Sequence, residues 1–161
     1  MIAVAAIDLL GGIGNEGKLL CHLKDDLKHF RRLTKGKTVI LGRKTLETFP
    51  GRKPLPNREN IILTHDWDFQ CANAVVCHSI EEVLEHCAEK NPEDVIVVGG
   101  ASVYEQFSSY ITKFYLTRIY ELFPADTWLK LHGNWKVTEE SQLYEENGIS
   151  YQHLIYERIN K

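Results

Sequence analysis

Several things this chain lacks narrow its class. No apolar run approaches the roughly 20 residues of a membrane helix. The first apolar stretch, Ile2 to Ile7, has no basic residues before it and is too short for a secretory signal. The four cysteines, Cys21, Cys71, Cys77 and Cys87, contain no C-x-x-C pair and are too sparse for a disulfide scaffold. They are expected as free thiols in a reducing cytoplasm. Cys21-His22 and His86-Cys87 are adjacent pairs whose side chains diverge, so no metal site is expected. A basic excess is missing too. Lys and Arg total 19 against 22 acidic residues, for a net charge of −3, which leaves no electrostatic footprint for nucleic acid. Linkers, repeats and low-complexity tracts are absent.

What remains is ordinary globular composition, 43% hydrophobic and 25% charged over 161 residues. That length predicts one domain, residues 1–161, able to bury about two-thirds of its unfolded surface. Ile2-Ala-Val-Ala-Ala-Ile7 reads as a strand buried on both faces. Asp8 to His22 is loop-like, with Gly11, Gly12, Gly14 and Gly17. From Leu23, apolar residues recur as Leu23, Leu27, Phe30 and Leu33/Thr34, predicting a helix that Gly36 stops.

Strands are predicted at Thr38–Leu41, Asn60–Thr64, Ala74–Cys77 and Asp94–Val98. Short helical pieces follow Gly42 and Gly100. Ser79-Ile-Glu-Glu82 is a capping box opening a helix through about Glu89. Lys113–Tyr120, Trp135–Val137 and Tyr151–Glu157 alternate as antiparallel strands do. The order predicts an α/β domain with a mainly parallel sheet and an antiparallel end.

Three motif-like runs fail on context. Gly12-Ile-Gly-Asn-Glu-Gly17 spells G-x-G-x-x-G but sits mid-loop, not between a strand and a helix. Gly36-Lys37-Thr38 lacks the leading glycine of a P-loop and precedes a strand. Gly100-x-Ser102 lacks the closing glycine of a nucleophile elbow. Gly99-Gly100 is better placed, directly after an apolar strand and before a helix start. Asp25 and Asp26 fall in the first helical turn, where acids favour the macrodipole. Asp26 also borders the apolar face, where a carboxylate needs a purpose. Arg43-Lys44 is either a solvated basic pair or an anion contact at a helix start.

In order along the chain, these pieces resemble the dihydrofolate reductase family almost end to end. Ile13-Gly14 followed by Leu23-x-x-Asp26-Leu27-x-x-Phe30 resembles its active-site loop and first helix. Gly42-Arg43-x-Thr45 and Val98-Gly99-Gly100 with Tyr104 resemble its cofactor segments. Pro54-Leu55-Pro56-x-Arg58-x-Asn60 resembles its substrate-tail segment, and Thr117 and Asp126-Thr127 match later signatures.

The resemblance implies a single-domain α/β fold with an eight-stranded, mainly parallel sheet, antiparallel C-terminal strands and four flanking helices. It implies NADPH-dependent reduction of 7,8-dihydrofolate, with antifolates as possible inhibitors. Asp26, supported by Thr117, would hold the pterin. Val4, Ala5, Leu27, Phe30, Phe49 and Leu55 would wall the substrate, and Arg58 would clamp its glutamate carboxylate.

Toward the cofactor the resemblance places Ala6, Ile13, Gly14, Leu19 and Val98 near the nicotinamide. Gly42, Arg43, Lys44, Thr45, Thr64 and His65 would lie near its phosphates. Gly99, Gly100, Ala101, Ser102, Val103, Tyr104 and Thr127 complete the set, and the Gly99–Gly100 peptide is expected to be cis. A monomer in the cytoplasm is expected, with no membrane partner. Departures from the family pattern are Leu20-Cys21 for Pro-Trp, Lys24 for the helix-start Pro, Ala101 for the third glycine and Ala125 before Asp126-Thr127. Rival readings are a related pterin or pyrimidine reductase, and a catalytically weak paralogue that binds folate or NADPH.

Overall fold

The structure, a computed structural model, describes residues 1–159. Its elements in chain order are β1 (Ile2–Ile7), β2 (Gly12–Gly14), α1 (Lys24–Thr34), β3 (Thr38–Gly42), α2 (Arg43–Leu46), β4 (Glu59–Leu63), β5 (Val75–Cys77) and α3 (Ile80–His86). There follow β6 (Val95–Gly99), α4 (Ala101–Gln106), β7 (Lys113–Ile119), β8 (Thr127–Trp128), β9 (Trp135–Glu140), β10 (Tyr144–Glu146) and β11 (Ile149–Arg158).

The main sheet runs β10-β11-β7-β1-β6-β3-β4-β5. Pairings from β7 through β5 are parallel, and β11 joins β7 antiparallel. Nine segments fill eight positions, because β9 and β10 pair with successive stretches of β11. Lys113–Ile119, expected as antiparallel, is antiparallel only toward β11. Toward β1 it is parallel, and it forms the seam between the two halves.

Alternation along the buried strands sorts side chains between two faces. Ala3, Ala5, Ile40, Ile61 and Val97 pack against Val83 of α3 and Val103 of α4. Ile2, Val4 and Ile96 face the other way, toward Phe30 and Leu33 of α1. Val39, Leu41 and Ile62 meet Leu46 of α2 on that side. Ile40, Ile61, Ile62 and Val97 are fully buried, each contributing about 1.5–3 kcal/mol of transfer free energy.

The capping box forms with one change. Ser79 Oγ accepts from Glu82 N at 3.2 Å, but the Glu82 carboxylate accepts from His78 N at 2.6 Å, one residue earlier than expected. That helix ends at His86, short of Glu89. Gly36 stops α1 as expected, at φ +76°, where a side chain is strained.

The glycine loop is more ordered than loop-like composition suggests. Asp8, buried, accepts from Leu10 N at 2.9 Å and Gly12 N at 2.8 Å. A Cβ on Gly12 would sit 2.9 Å from Ala125 Cβ, so this approach requires glycine. Beyond it, β2 pairs with β8, and Asp126 accepts from Glu16 N at 2.8 Å.

Candidate active site

The parallel strands β1, β3 and β6 end together at Ile7, Gly42 and Gly99. Clefts at the carboxyl ends of such strands are where α/β domains bind ligands. A cavity of about 40 Å³ opens there, lined by Ala6, Ile13, Leu19, Leu20, Cys21, Leu23, Asp26, Leu27 and Ile119. Asp26 is the one carboxylate in this lining. It is the third residue of α1, and its side chain is 18% exposed.

Thr117 of β7 donates from Oγ1 to Asp26 Oδ1 at 2.5 Å. Burial pushes the Asp26 carboxyl above the ordinary carboxylate range, opposed by the Thr117 hydrogen bond and His29, and reinforced by Glu146. Cys21 in the same wall is pushed up by burial, then by Asp26 and Glu146, so it stays a neutral thiol.

Two supports of Asp26 escaped sequence reasoning. Helix α1 starts after Leu23, which has no capping side chain. Glu146 of β10 supplies the cap instead, accepting from Lys24 N at 2.7 Å and Asp25 N at 3.2 Å. The apolar residue at the cap position was the available signal, but it could not name a partner 122 residues away. The second support is His153, which lies 3.0 Å from Thr117 Oγ1.

Arg58 lies at the other end of α1. Its Nε donates to Thr34 Oγ1 at 3.0 Å and its Nη1 to the Pro56 carbonyl at 2.9 Å. Burial and the neighbouring Arg31 charge depress its pKa. Among the described residues, no carboxylate pairs with it. The loop that carries it is bracketed by buried Asn60, whose amide accepts from Leu55 N and donates to the Leu55 and Arg58 carbonyls. Phe49 and Leu55 pack on the Val39–Leu41 side of the sheet, and Phe30 on the Ile2–Val4 side. Leu27, on the cleft wall, is 43% exposed.

Across the cleft, α2 begins after Gly42 and α4 after Gly100, and neither helix start has a side-chain cap. They lie close together, since a Cβ on Gly100 would lie 3.5 Å from Thr45 Oγ1. The Gly99–Gly100 peptide is cis, as expected. Ala101 and Ser102 open α4, and Val98 sits half-buried between the two apolar clusters of the α1 side.

Val103 and Tyr104 follow the Gly99–Gly100 turn in α4. Both are buried behind the turn, with Tyr104 donating to the Val4 carbonyl at 2.5 Å, so they support it from beneath. Val4 and Ala5 are themselves buried in β1, on opposite faces of the sheet.

Arg43 is not a free cation. It meets Asp66 at 2.8 Å and Glu47 at 3.5 Å, and its guanidinium lies 4.6 Å from the Phe69 ring centre. Lys44 follows it in α2. Thr64 and His65 follow β4 nearby, where Thr64 Oγ1 accepts from Asp66 N. Thr127 donates to Asp126, and β8 backs Gly14, so Thr127 fastens the glycine loop.

Fold and site together define a single-domain α/β protein with an apolar cleft, one carboxylate and two neighbouring helix starts at the carboxyl edge of a parallel sheet. The family model of dihydrofolate reductase matches residues 1–158. The chain is 36% identical to the dihydrofolate reductase of Bacillus subtilis, covering 98% of this chain and 94% of that protein. It is 37% identical to that of Staphylococcus aureus, covering 94% and 95%. A solved dihydrofolate reductase from Enterococcus faecalis, complexed with NADP(H) and RAB-propyl, superposes with a TM-score of 0.86 at 36% identity, covering 99% of this chain and 96% of that one. The chain belongs to the dihydrofolate reductase family.

Proposed function

We infer that this chain is an active dihydrofolate reductase, with Asp26 at the pterin and Arg58 at the glutamate tail. The observation that carries the reading is Asp26, a single braced carboxylate in an otherwise apolar cleft. The residues present fit NADPH: two helix starts without side-chain caps lie close together, with Arg43 and Lys44 in the first of them. When bound, NADPH supplies the hydride that reduces the C6–N5 bond of dihydrofolate at C6, while N5 gains a proton.

This chain's residues bind, orient and exclude water. Asp26 accepts paired hydrogen bonds from the pterin 2-amino group and N3, which fixes the ring and biases its protonation. Thr117 holds the carboxylate in place. Ala6, Ile13 and Leu19 keep that end of the cleft apolar, and the loop from Gly14 to Leu20 closes over it. The same reading treats residues 1–161 as one monomeric domain in the cytoplasm, without nucleic-acid or membrane partners. No helix among the described residues is long and apolar enough to cross a membrane.

The direct test is loss of NADPH absorbance with and without dihydrofolate. Dihydrofolate-dependent loss is expected. Binding of both ligands without that loss would instead identify a non-catalytic folate- and NADPH-binding paralogue.

Cofactor choice is a second test. A 2′-phosphate gives Arg43 a doubly charged partner that NADH lacks. The phosphate must compete with Asp66 and Glu47 for that guanidinium. Arg43→Ala is therefore expected to lower kcat/KM for NADPH roughly tenfold and leave NADH use nearly unchanged. An equal loss with both cofactors would remove Arg43 from phosphate recognition.

Cys21 makes the third. Cys21 lines the same cleft beside Leu19 and Leu20, and a thiol fills less of it than an indole would. A pterin here is gripped less rigidly, which lowers the share of reactive geometries. Cys21→Trp is expected to raise kcat/KM for dihydrofolate several-fold while NADPH affinity changes less. A folded variant with unchanged or lower kcat/KM would show a site adapted to cysteine.

A further inference from the structure

We propose that His153 is a positioning residue for the reductase reaction, donating from Nδ1 to Thr117 so that the threonine's single hydroxyl hydrogen is committed to Asp26. The proposal rests on the reading of Asp26 given above. His153 and Thr117 are directly opposed across the antiparallel β11–β7 pair. Thr117 Oγ1 lies 2.5 Å from Asp26 Oδ1 and 3.0 Å from His153 Nδ1. An ionised carboxylate can only accept, so the hydroxyl hydrogen points to Asp26. The remaining close contact is favourable only if Nδ1 carries a hydrogen. A ring protonated on Nε2 alone would bring an Nδ1 lone pair to the hydroxyl, and Asp26 and His153 would then compete for one proton.

The surroundings hold His153 in that pose. Its backbone exchanges two hydrogen bonds with Ser141, one to the hydroxyl at 2.9 Å and one to the backbone N–H at 2.8 Å. Its ring stacks on His29 of α1, centroids 3.8 Å apart and planes 24° from parallel. Tyr144 of β10 and Tyr151 of β11 flank it, each 5.7 Å away. From α1, His29, Arg32 and Asp26 face it. Burial, then Arg32, depresses the His153 pKa, and burial, then His153, depresses that of His29. Two stacked imidazolium ions would repel, so neutral rings suit the stack. A neutral ring with a fixed tautomer is a one-way donor, and it strengthens the next bond in the chain. His153 is not among the residues lining the cleft; its Nδ1 lies 3.8 Å from Asp26 Oδ1, beyond hydrogen-bond reach, and its hydrogen bond runs to Thr117.

Two substitutions separate the donor from the ring. His153→Phe keeps an aromatic plane against His29 and removes the donor. His153→Asn gives up the stack but places an amide N–H near the Nδ1 position. In the full chain, His153→Phe is expected to lower kcat/KM for dihydrofolate about fivefold, with NADPH Kd unchanged. The midpoint of its pH–rate profile should move up, because Asp26 loses support for its charged form. His153→Asn should return that midpoint toward wild type, which a merely structural role would not do. An unchanged midpoint in His153→Phe, with Asp26→Asn still crippling turnover, would overturn the role of His153 and leave that of Asp26 standing. If Asp26→Asn leaves the profile untouched, the Asp26 reading fails and this proposal with it. Should His153→Phe not fold, the ¹⁵N shifts of wild-type His153 decide. An Nδ1–H tautomer near neutral pH supports the donor, and an Nε2–H tautomer refutes it.

Discussion

Asp26→Asn is expected to cut turnover at neutral pH by roughly 100-fold or more, the scale of a positioned acid–base group, while NADPH binding changes little. Asn preserves the shape and still accepts from Thr117 at its carbonyl oxygen. It loses the charge proposed to hold the pterin and favour its protonation. The folded protein should respond in the opposite sense. Burial raises the Asp26 pKa above its unfolded value. Above both values the carboxylate is ionised in both states, so ionisation in the partly dry cleft costs folding free energy. Below both values it is neutral in both states and the cost vanishes. Asn never carries that cost. Its Tm should therefore exceed wild type near pH 7, and the gain should shrink as pH falls through the raised pKa. A pH–rate profile identical to wild type, or a gain in Tm independent of pH, would remove Asp26 from the chemistry.

The opposing demands on Asp26 bear on how much of the molecule could be read in advance. The central strands were legible because burial on both faces leaves nearly unbroken apolar runs, such as Thr38-Val-Ile-Leu41. Asp26 was legible as a carboxylate beside an apolar helical stripe. The short strands β2, β8 and β10 were not. Each is two or three residues long, and Gly12–Gly14 becomes a strand only through Thr127–Trp128, far along the chain. A pattern of period two needs more residues than that to register.

The braces of the site were hidden for the same reason. Glu146, His153 and Asn60 act through single contacts set by tertiary register, and nothing local distinguishes them from surface or core residues. Tyr104 shows the converse limit. Its position in the family pattern suggested a cofactor contact, and nothing local announced that its hydroxyl donates to the Val4 carbonyl of β1. Motif order could name candidates on separate elements, such as Asp26 on α1 and Thr117 on β7, which the fold brings together. The side of the backbone each one occupies required the assembled sheet.

Arg58→Leu is expected to raise KM for dihydrofolate by roughly 10- to 100-fold with kcat nearly constant, the loss of one charge-assisted contact worth about 1.5–3 kcal/mol. The geometry favours a large effect. Thr34 Oγ1 donates to the Phe30 carbonyl at 2.9 Å and accepts from Arg58 Nε at 3.0 Å, so the guanidinium is tied to the last turn of α1. The Pro56 carbonyl takes Nη1. Two anchors fix the plane of the fork before any ligand arrives, which reduces the entropy lost on binding a carboxylate bidentately. Partial burial, and then the Arg31 charge, depress the Arg58 pKa, so an incoming anion relieves a repulsion as well as forming hydrogen bonds. Because Arg58 and Asp26 sit at opposite ends of α1, the proposed tail contact would be the same in the ground and transition states. Binding equal in both states moves KM and leaves kcat alone. A pteridine substrate lacking the glutamate should be indifferent to the substitution. If Arg58→Leu weakens that truncated substrate as much as dihydrofolate, the effect is a general loosening of the cleft and Arg58 does not clamp the tail.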